Sequence, residues 1–289
     1  MKKLLPVLLC AAMLLCLLPL EARAAAAAWD GAVDISWYDP AQTEYTIDTP
    51  AKLAGLAALV NGMADPAAKA IVGDRSYLVS KKVDNVMLVG AGGGNVFDTV
   101  YTGGVDFAYK TIYLTADLDM GGRKAADGSW TGPNWTPIGG KFPMKPQEAS
   151  GDCLTLDTRF NGVLDGQGHT IYNLYCDRCA AKGFPYSMAV GVVGFLGGNA
   201  DYANGGNGEK TEAEFKNGWQ PAVRNLVLGS GSIYGRRMVG GIVGRVGETS
   251  NGVVIENCGN RADVRNTDSK GVGGICGSAS GAGTIRGCY

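Results

Sequence analysis

Short apolar runs separated by glycines form the pattern of hydrophobic and polar positions from about residue 77 onward. Two blocks alternate within this pattern. The first block reads aliphatic residue, polar or aromatic residue, Asn or Gly, then Leu or Cys, and it occurs within 170–174, 222–226, 254–258 and 284–288. The second block is apolar and bracketed by glycines, and it occurs at 190–194, 240–244 and 273–277. This recurrence predicts a solenoid built from β-strands.

The spacing of the first block indicates a nearly constant repeat length. Asn225 recurs as Asn257, and Cys258 recurs as Cys288, in both cases after about 30 residues, which lies in the range of solenoid repeats. The interval from Asn173 to Asn225 is longer, and we assign the excess to a polar, glycine-rich insertion at 197–218. Each repeat has two clear strands and a third weaker one, such as 233–234 or 263–265. Three strands per coil, stacked at about 4.8 Å, are typical of a parallel β-helix.

The predicted fold class is therefore all-β, a right-handed parallel β-helix. Equivalent side chains are expected to stack into ladders. The predicted ladders are an aliphatic one of Ile171, Val223, Ile255 and Ile285, a second one of Leu174, Leu226, Cys258 and Cys288, and a polar one of Asn173, Asn225 and Asn257.

One helix is predicted ahead of the strands, around residues 50–61. Thr49 can accept hydrogen bonds as the N-cap, and Pro50 suits the first helical turn because it has no N–H to leave unpaired. Leucines and a valine follow at helical spacing, and Gly62 is placed to end the helix. We expect the apolar face of this helix to cap the first turn of the β core.

The N-terminus predicts export. Lys2 and Lys3 precede an apolar run, and Ala22-Arg23-Ala24 matches the small-residue pattern of a signal-peptidase site. We predict a signal peptide at 1–24, an N-terminal leader and cap region at 25–110 and the parallel β-helix at 111–289. The mature chain would then be secreted or held at the cell surface, with no membrane span after cleavage. It would keep most of the 26 basic and 27 acidic residues and carries no basic block, which argues against nucleic-acid binding.

Candidate metal and cofactor chemistry is sparse. His169 is the only histidine in the sequence, and Cys176 and Cys179 provide the only CxxC spacing, so neither a metal site nor a cofactor is predicted. A disulfide between these two cysteines is an open alternative in an exported protein. The glycine-rich segment 90–95 has Asn95 where a dinucleotide-binding fingerprint needs its third glycine, and it is interpreted as a loop.

Paired carboxylates are the remaining candidates for catalysis. Asp117 and Asp119 are two apart and would share a strand face, and Asp152 and Asp157 offer a second pair. Such pairs serve glycoside hydrolases, whereas acidic residues near turns more often bond to the backbone. We interpret the chain as non-catalytic. A secreted polysaccharide lyase or glycoside hydrolase is the alternative.

Loop aromatics are the candidate ligand-binding residues, because aromatic faces can stack on sugar rings. The four candidates are Trp130, Trp135, Tyr202 and Trp219. They lie in or beside two loops, 121–151 and 197–220, which we expect to form a contact face for glycans or for host or cell-wall surface components. For Trp135 and Trp219 we favour the alternative that they pack against the surface of the coils.

The glycine-bracketed blocks resemble the GLUG-motif repeats of cell-surface proteins from Gram-positive bacteria. The motif itself is matched by 191–194, 241–244 and 274–277, and the segments 53–62 and 160–171 resemble parts of the usual leader of such proteins. The resemblance covers most of residues 29–289. It implies a pectin-lyase-like β-helix at the cell surface and no single activity, and our leading hypothesis is a module that acts in adhesion, binding or structure.

The resemblance also implies a longer multi-domain chain. Tyr289 directly follows a repeat strand with no capping pattern, so we expect further C-terminal domains or a capping partner. A third functional alternative follows from this: the chain would be the non-catalytic front part of a larger exported enzyme.

Overall fold

The computed structural model describes residues 27–62, 80–89, 95–143, 155–179, 188–198, 214–267 and 271–289. These residues contain one helix, α1 (Pro50–Asn61), and many short strands. In chain order, the strands are β1 (Glu44–Ile47), β2 (Ser80–Val89), β3 (Asn95–Gly103), β4 (Thr111–Leu114), β5 (Leu118–Asp119), β6 (Arg123–Lys124), β7 (Trp130–Thr131), β8 (Gly140–Pro143), β9 (Thr155–Thr158), β10 (Val163–Asp165), β11 (Thr170–Tyr172), β12 (Leu174–Asp177), β13 (Met188–Val190), β14 (Val193–Leu196), β15 (Ala222–Arg224), β16 (Val227–Leu228), β17 (Gly231–Gly235), β18 (Arg237–Gly240), β19 (Val243–Val246), β20 (Val253–Glu256), β21 (Gly259–Asn260), β22 (Asp263–Asn266), β23 (Val272–Gly273), β24 (Cys276–Ala279) and β25 (Gly283–Arg286).

The prediction of a mostly-strand chain with a helix around residues 50–61 is confirmed for the described residues, although β1 precedes that helix. Thr49 Oγ1 accepts a hydrogen bond from the Lys52 N–H, and Pro50 occupies the first turn. Residues 53–61 are all buried, not only the predicted apolar face. One reason is the close approach of the preceding loop, since a Cβ on Gly55 would lie 1.9 Å from Asp34 O. Only glycine fits at that contact.

Five sheets contain parallel strands, and they recur in the same order along the chain. Sheet 1 is β1-β4-β10-β15-β20-β25, sheet 2 is β5-β11-β16-β21, sheet 3 is β12-β17-β22, sheet 4 is β9-β8-β13-β18-β23 and sheet 5 is β14-β19-β24. Strands β15–β19 enter sheets 1 to 5 in turn, and β20–β24 repeat that order. In sheet 4, β8 is antiparallel to both of its neighbours. Two further antiparallel pairs, β2-β3 and β6-β7, lie outside the five sheets.

The repeats that begin at β10, β15 and β20 each contribute five short strands, so the prediction of three strands per coil is wrong. Bends divide the longer runs that the sequence pattern indicates. Asn225 and Asn257 have φ of +53° and +52°, and this left-handed conformation ends the strand in sheet 1 just before the strand in sheet 2 begins. Asparagine adopts this conformation more readily than other non-glycine residues.

The predicted register of the later repeats is confirmed. Val223 pairs with Ile255, and Ile255 pairs with Ile285. The glycine-bracketed blocks are also in register, with Val193 beside Val243 and Val243 beside Cys276. The weaker predicted strands pair as well, as β17 with β22.

The predicted position of Ile171 in the aliphatic ladder is wrong. The partner of Val223 in the preceding repeat is Leu164, whereas Ile171 lies in sheet 2 between Leu118 and Leu228. The segment 170–174 therefore belongs to a different corner of the repeat. Leu174 and Asn173 leave their predicted ladders for the same reason, and Leu174 instead pairs with Gly231 in sheet 3.

Sheet 1 extends across the predicted boundary at residue 111, because β1 pairs in parallel with β4. The leader thus contributes a strand to the same sheet as the repeats. The predicted signal peptide at 1–24 lies outside the described residues, as does the loop at 90–94.

The two edges of sheet 1 differ in how well their apolar side chains are covered. On the β1 side, Tyr45 and Ile47 are 5% and 0% exposed, and they share one core with the leucines of α1. On the β25 side, Ile285 is 51% exposed, although Ile255 one repeat earlier is fully buried. The apolar side chains of β1 are therefore covered by the helix, whereas Ile285 of β25 is half-exposed in the described part of the chain.

Candidate functional site

An aromatic patch on the surface brings together Tyr109, Phe215 and Trp219. The Tyr109 ring lies 5.5 Å from the Trp219 ring between centroids, at an interplanar angle of 46°. It also meets Phe215 edge-on, with a centroid distance of 6.1 Å and an angle of 87°. Tyr109 is 42% exposed, and the other two rings are half-buried. Aromatic rings clustered at a surface in these arrangements stabilise one another and leave an apolar face open to a ligand.

One part of the patch is a tight turn at residues 216–219, which contacts Tyr109. The Trp219 N–H donates to Lys216 O at 3.1 Å, and Asn217 and Gly218 have φ of +55° and +68°. Both central residues of the turn thus have positive φ, as type I′ turns require. The Lys216 N–H donates to the Tyr109 hydroxyl at 2.9 Å, so the turn and the tyrosine hold each other in place.

Two side-chain contacts fix the patch to the repeats. The Trp219 indole N–H donates to Asn161 O at 2.8 Å, which ties down one edge of the ring. Asn251, in the connection between β19 and β20, donates through Nδ2 to Phe215 O and Trp219 O at 3.1 and 3.2 Å. The rings are therefore positioned before any ligand arrives, which lowers the entropic cost of binding.

Exposed polar residues flank Phe215 and Trp219 in the sequence. Glu214, Lys216, Asn217 and Gln220 are all exposed on the same short segment as the rings. An apolar platform bordered by hydrogen-bonding groups matches a sugar, whose C–H faces are apolar and whose rim carries hydroxyls.

Trp130 and Trp135, two other predicted binding residues, are not part of this patch. Trp135 is 1% exposed, meets Trp29 edge-on at 6.0 Å, and its indole N–H points at Gly191 O and Val192 O. Its faces are enclosed by protein, so they offer no stacking surface. Trp130 is half-buried in β7, and its indole nitrogen has no partner among the described residues. Tyr202 lies outside the described residues.

Sequence reasoning selected Trp219 and missed Tyr109 and Phe215. Tyr109 is far from Trp219 in the sequence and reaches it only because the strands stack. Its backbone is also unusual, with φ of +62°, in a turn closed by Lys110 N–H to Phe107 O at 3.0 Å. The sequence signal for this turn is weak, since aromatic residues rarely adopt positive φ.

The candidate catalytic carboxylates have separate structural partners. Asp117 Oδ1 lies 3.0 Å from His169 Nδ1 and accepts the Thr170 N–H at 3.0 Å. Asp119 Oδ1 accepts the Gly121 N–H and the Asn173 side-chain amide, both at 3.0 Å. These are the bonds of turns and of stacked strands. Asp152 lies outside the described residues, and the structure does not describe the side chain of Asp157.

Cys176 and Cys179 are both free thiols. Cys176 is fully buried, and burial raises the pKa of its thiol to about 12. Cys179 is half-exposed, with its Sγ 3.9 Å from Thr267 Oγ1. Across the described parts of the chain, no cluster of three or more His, Cys, Asp or Glu residues is placed to hold a metal ion.

Comparison with known proteins finds one partial sequence similarity. A stretch of 142 residues is 34% identical to Halomucin from Haloquadratum walsbyi, and it covers 46% of this chain. That stretch spans about 1% of the length of Halomucin. No protein-family model matches the chain. No solved structure matches it significantly. Within the described residues, no helix has the length and apolar character needed to cross a membrane.

Proposed function

We propose that this chain is an exported, non-catalytic binding module that presents the aromatic patch to carbohydrate on a right-handed parallel β-helix. The observation that carries the proposal is the patch itself: three rings in contact, two of them held by side-chain hydrogen bonds, with exposed polar residues on the same segment. It acts in adhesion or as a structural component at the cell surface, and its ligands are glycans of a host or of a cell wall.

The order and register of the sheets support the β-helix. The chain returns repeatedly to the same sheet, and every return from β4 to β25 in sheet 1 is parallel. Parallel strands joined by such crossovers are right-handed in about 98% of cases. The GLUG-like blocks, which lie in register in sheets 4 and 5, support membership of that group of surface proteins.

Export is supported by the predicted signal peptide at 1–24 and by the local similarity to Halomucin.

The non-catalytic assignment is supported by the state of the acidic candidates. Asp117 and Asp119 are bound to backbone and side-chain donors that position turns, and each has its own partners. A glycosidase needs two carboxyl groups that face one bond of the substrate from either side.

The proposal is tested with the purified mature chain, residues 25–289, on a glycan array, together with reducing-sugar and unsaturated-product assays. We expect binding to at least one class of glycan and no turnover. Trp219→Ala should weaken that binding by about 30-fold or more, since aromatic anchors of this kind contribute about 2 kcal/mol. Tyr109→Ala should weaken it similarly, because it removes one ring and the acceptor for Lys216.

Trp130→Ala is the matched control, because it removes a tryptophan from the other predicted contact loop and leaves the patch intact. The Trp130→Ala variant should bind the glycan with the same affinity as the unchanged chain. Loss of binding in Trp130→Ala, with Trp219→Ala unaffected, would move the site to residues 121–151. Turnover of any polysaccharide would overturn the non-catalytic assignment.

A further inference from the structure

Cys258 and Cys288 occupy equivalent positions in consecutive repeats. Each lies just after a strand of sheet 1, β20 or β25. The backbone is paired on both sides of them: the Asn257 N–H donates to Arg286 O at 3.0 Å, and the Tyr289 N–H donates to Cys258 O at 3.0 Å. The two cysteines are therefore neighbours across one strand spacing, which is about 4.8 Å.

The two thiols also have the same orientation. Cys258 Sγ lies 3.3 Å from Glu256 O and 3.6 Å from Val223 O. Cys288 Sγ lies 3.3 Å from Arg286 O and 3.7 Å from Ile255 O, which are the equivalent atoms one repeat later. Both side chains thus point into the same column of the interior. A separation of about 4.8 Å between α-carbons lies within the range of about 4.4–6.8 Å that disulfides span.

The other described cysteines lack such a neighbour. Cys176 stacks on Ile233 in sheet 3, and Cys276 stacks on Val243 in sheet 5. Cys179 faces Thr267. Among the described residues, the ladders bring one pair of cysteines into register.

The two thiols differ in their exposure to solvent. Cys258 is fully buried, and burial raises the pKa of its thiol to about 12, with the neighbouring Cys288 thiol adding to the increase. Cys288 follows β25 and is half-exposed. A reagent in solution therefore reaches Cys288 first.

We propose that Cys258 and Cys288 form a disulfide that joins the last two repeats when the chain is in an oxidising compartment. Such compartments are where exported proteins keep disulfides. The oxidant is another disulfide, either of a small thiol such as glutathione or of a thiol-oxidising protein.

The exchange proceeds in two balanced steps. The Cys288 thiolate attacks one sulfur of the external disulfide, forming a mixed disulfide and releasing one thiolate of the oxidant. The Cys258 thiol then attacks Cys288 Sγ, which forms the internal bond and releases the second thiolate of the oxidant, and this thiolate takes up the proton from Cys258. Two thiols of the protein are oxidised, one external disulfide is reduced to two thiols, and two protons balance the charge.

The test is peptide mapping of the purified mature chain after equilibration with oxidised glutathione and alkylation of the remaining thiols. Trypsin cuts after Arg245, Arg261 and Arg286, so the proposal predicts that 246–261 is linked to 287–289. Reduction before digestion should release the two peptides. Two free, alkylated thiols at these positions in folded, oxidised chain would overturn the proposal, and so would a link from Cys288 to Cys276.

A second readout is protection of the last repeat against hydrogen exchange. A closed loop of about 30 residues lowers the population of the open repeat by up to about 500-fold in the chain-entropy estimate. Reduction should therefore speed exchange across β23–β25 in the unchanged chain and leave exchange in Cys288→Ser unaltered. Cys276→Ser is the matched control and should respond to reduction as the unchanged chain does. Equal exchange in oxidised and reduced unchanged chain would contradict the proposal. All of these measurements are independent of glycan binding.

Discussion

The difference between Ile255 and Ile285 gives the sharpest test of the register. The two residues are adjacent in sheet 1 and carry the same side chain at equivalent positions, but Ile255 is 0% exposed and Ile285 is 51% exposed. Changing each to alanine removes the same three carbon atoms. The two variants should therefore differ in stability only through their surroundings.

The magnitude follows from burial. Loss of three buried carbons costs about 2.4 kcal/mol at about 0.8 kcal/mol each, and the cavity left in a packed interior brings the cost of Ile255→Ala to about 3–4 kcal/mol. For Ile285→Ala about half of this transfer term applies and no closed cavity forms, so about 1 kcal/mol is expected. The predicted gap between the variants is about 2–3 kcal/mol.

The assay is urea unfolding of both variants and of the unchanged chain, followed by circular dichroism at a strand wavelength. The comparison uses midpoints at equal slope, because repeat proteins can unfold in stages. Equal losses of unfolding free energy in the two variants would refute the reasoning, since removal of a buried isoleucine side chain should cost more than removal of a half-exposed one.

Three further predictions concern other contacts. Asn257→Ala should cost about 1 kcal/mol more than Asn257→Gly in urea unfolding, because the backbone has φ of +52° and Gly287 adopts φ of +62° at the equivalent position. Burial raises the pKa of Asp165, but hydrogen bonds outweigh it and the net pKa is lowered, so its contribution to stability should disappear as pH falls below about 4. Denaturation as a function of pH should then show a smaller acid loss in Asp165→Asn than in the unchanged chain. Asn61→Ala should lower the free energy of unfolding by about 2–3 kcal/mol, because it leaves the Gly139 N–H buried without its acceptor. The loss should appear as a lower thermal midpoint.

The sequence predicted the later repeats correctly because no insertion separates them. Their nearly equal spacings align Val223, Ile255 and Ile285 directly. Helix α1 was equally predictable, since Thr49 and Pro50 mark its start in purely local terms.

The first repeat was misaligned because two corners of the repeat share the same local chemistry. Asn173 and Asn225 both have positive φ, and each donates its side-chain amide to an aspartate of the preceding repeat, Asp119 or Asp165. The neighbouring residues therefore look alike in sequence. Only the pairing of strands distant in the chain shows which corner is which.

Of the three rings in the aromatic patch, the sequence predicted Trp219, and it missed the others for a similar reason. Trp219 lies in a glycine-rich segment, and such segments are where solenoids place binding loops. Tyr109 contributes through stacking of strands far apart in sequence, and a single sequence does not encode that distance in any local signal. The burial of Trp135 likewise depends on Trp29, which lies far before it in the chain.

Strands β10, β15 and β20 of sheet 1 are each paired on both sides with the equivalent strand of a neighbouring repeat. Duplication of one of these repeats would preserve that pairing on both of its sides. It would add one strand to sheet 1, about 4.8 Å in width, and leave the contacts of the aromatic patch unchanged. Selection could therefore widen this sheet one repeat at a time without rebuilding the residues around Tyr109.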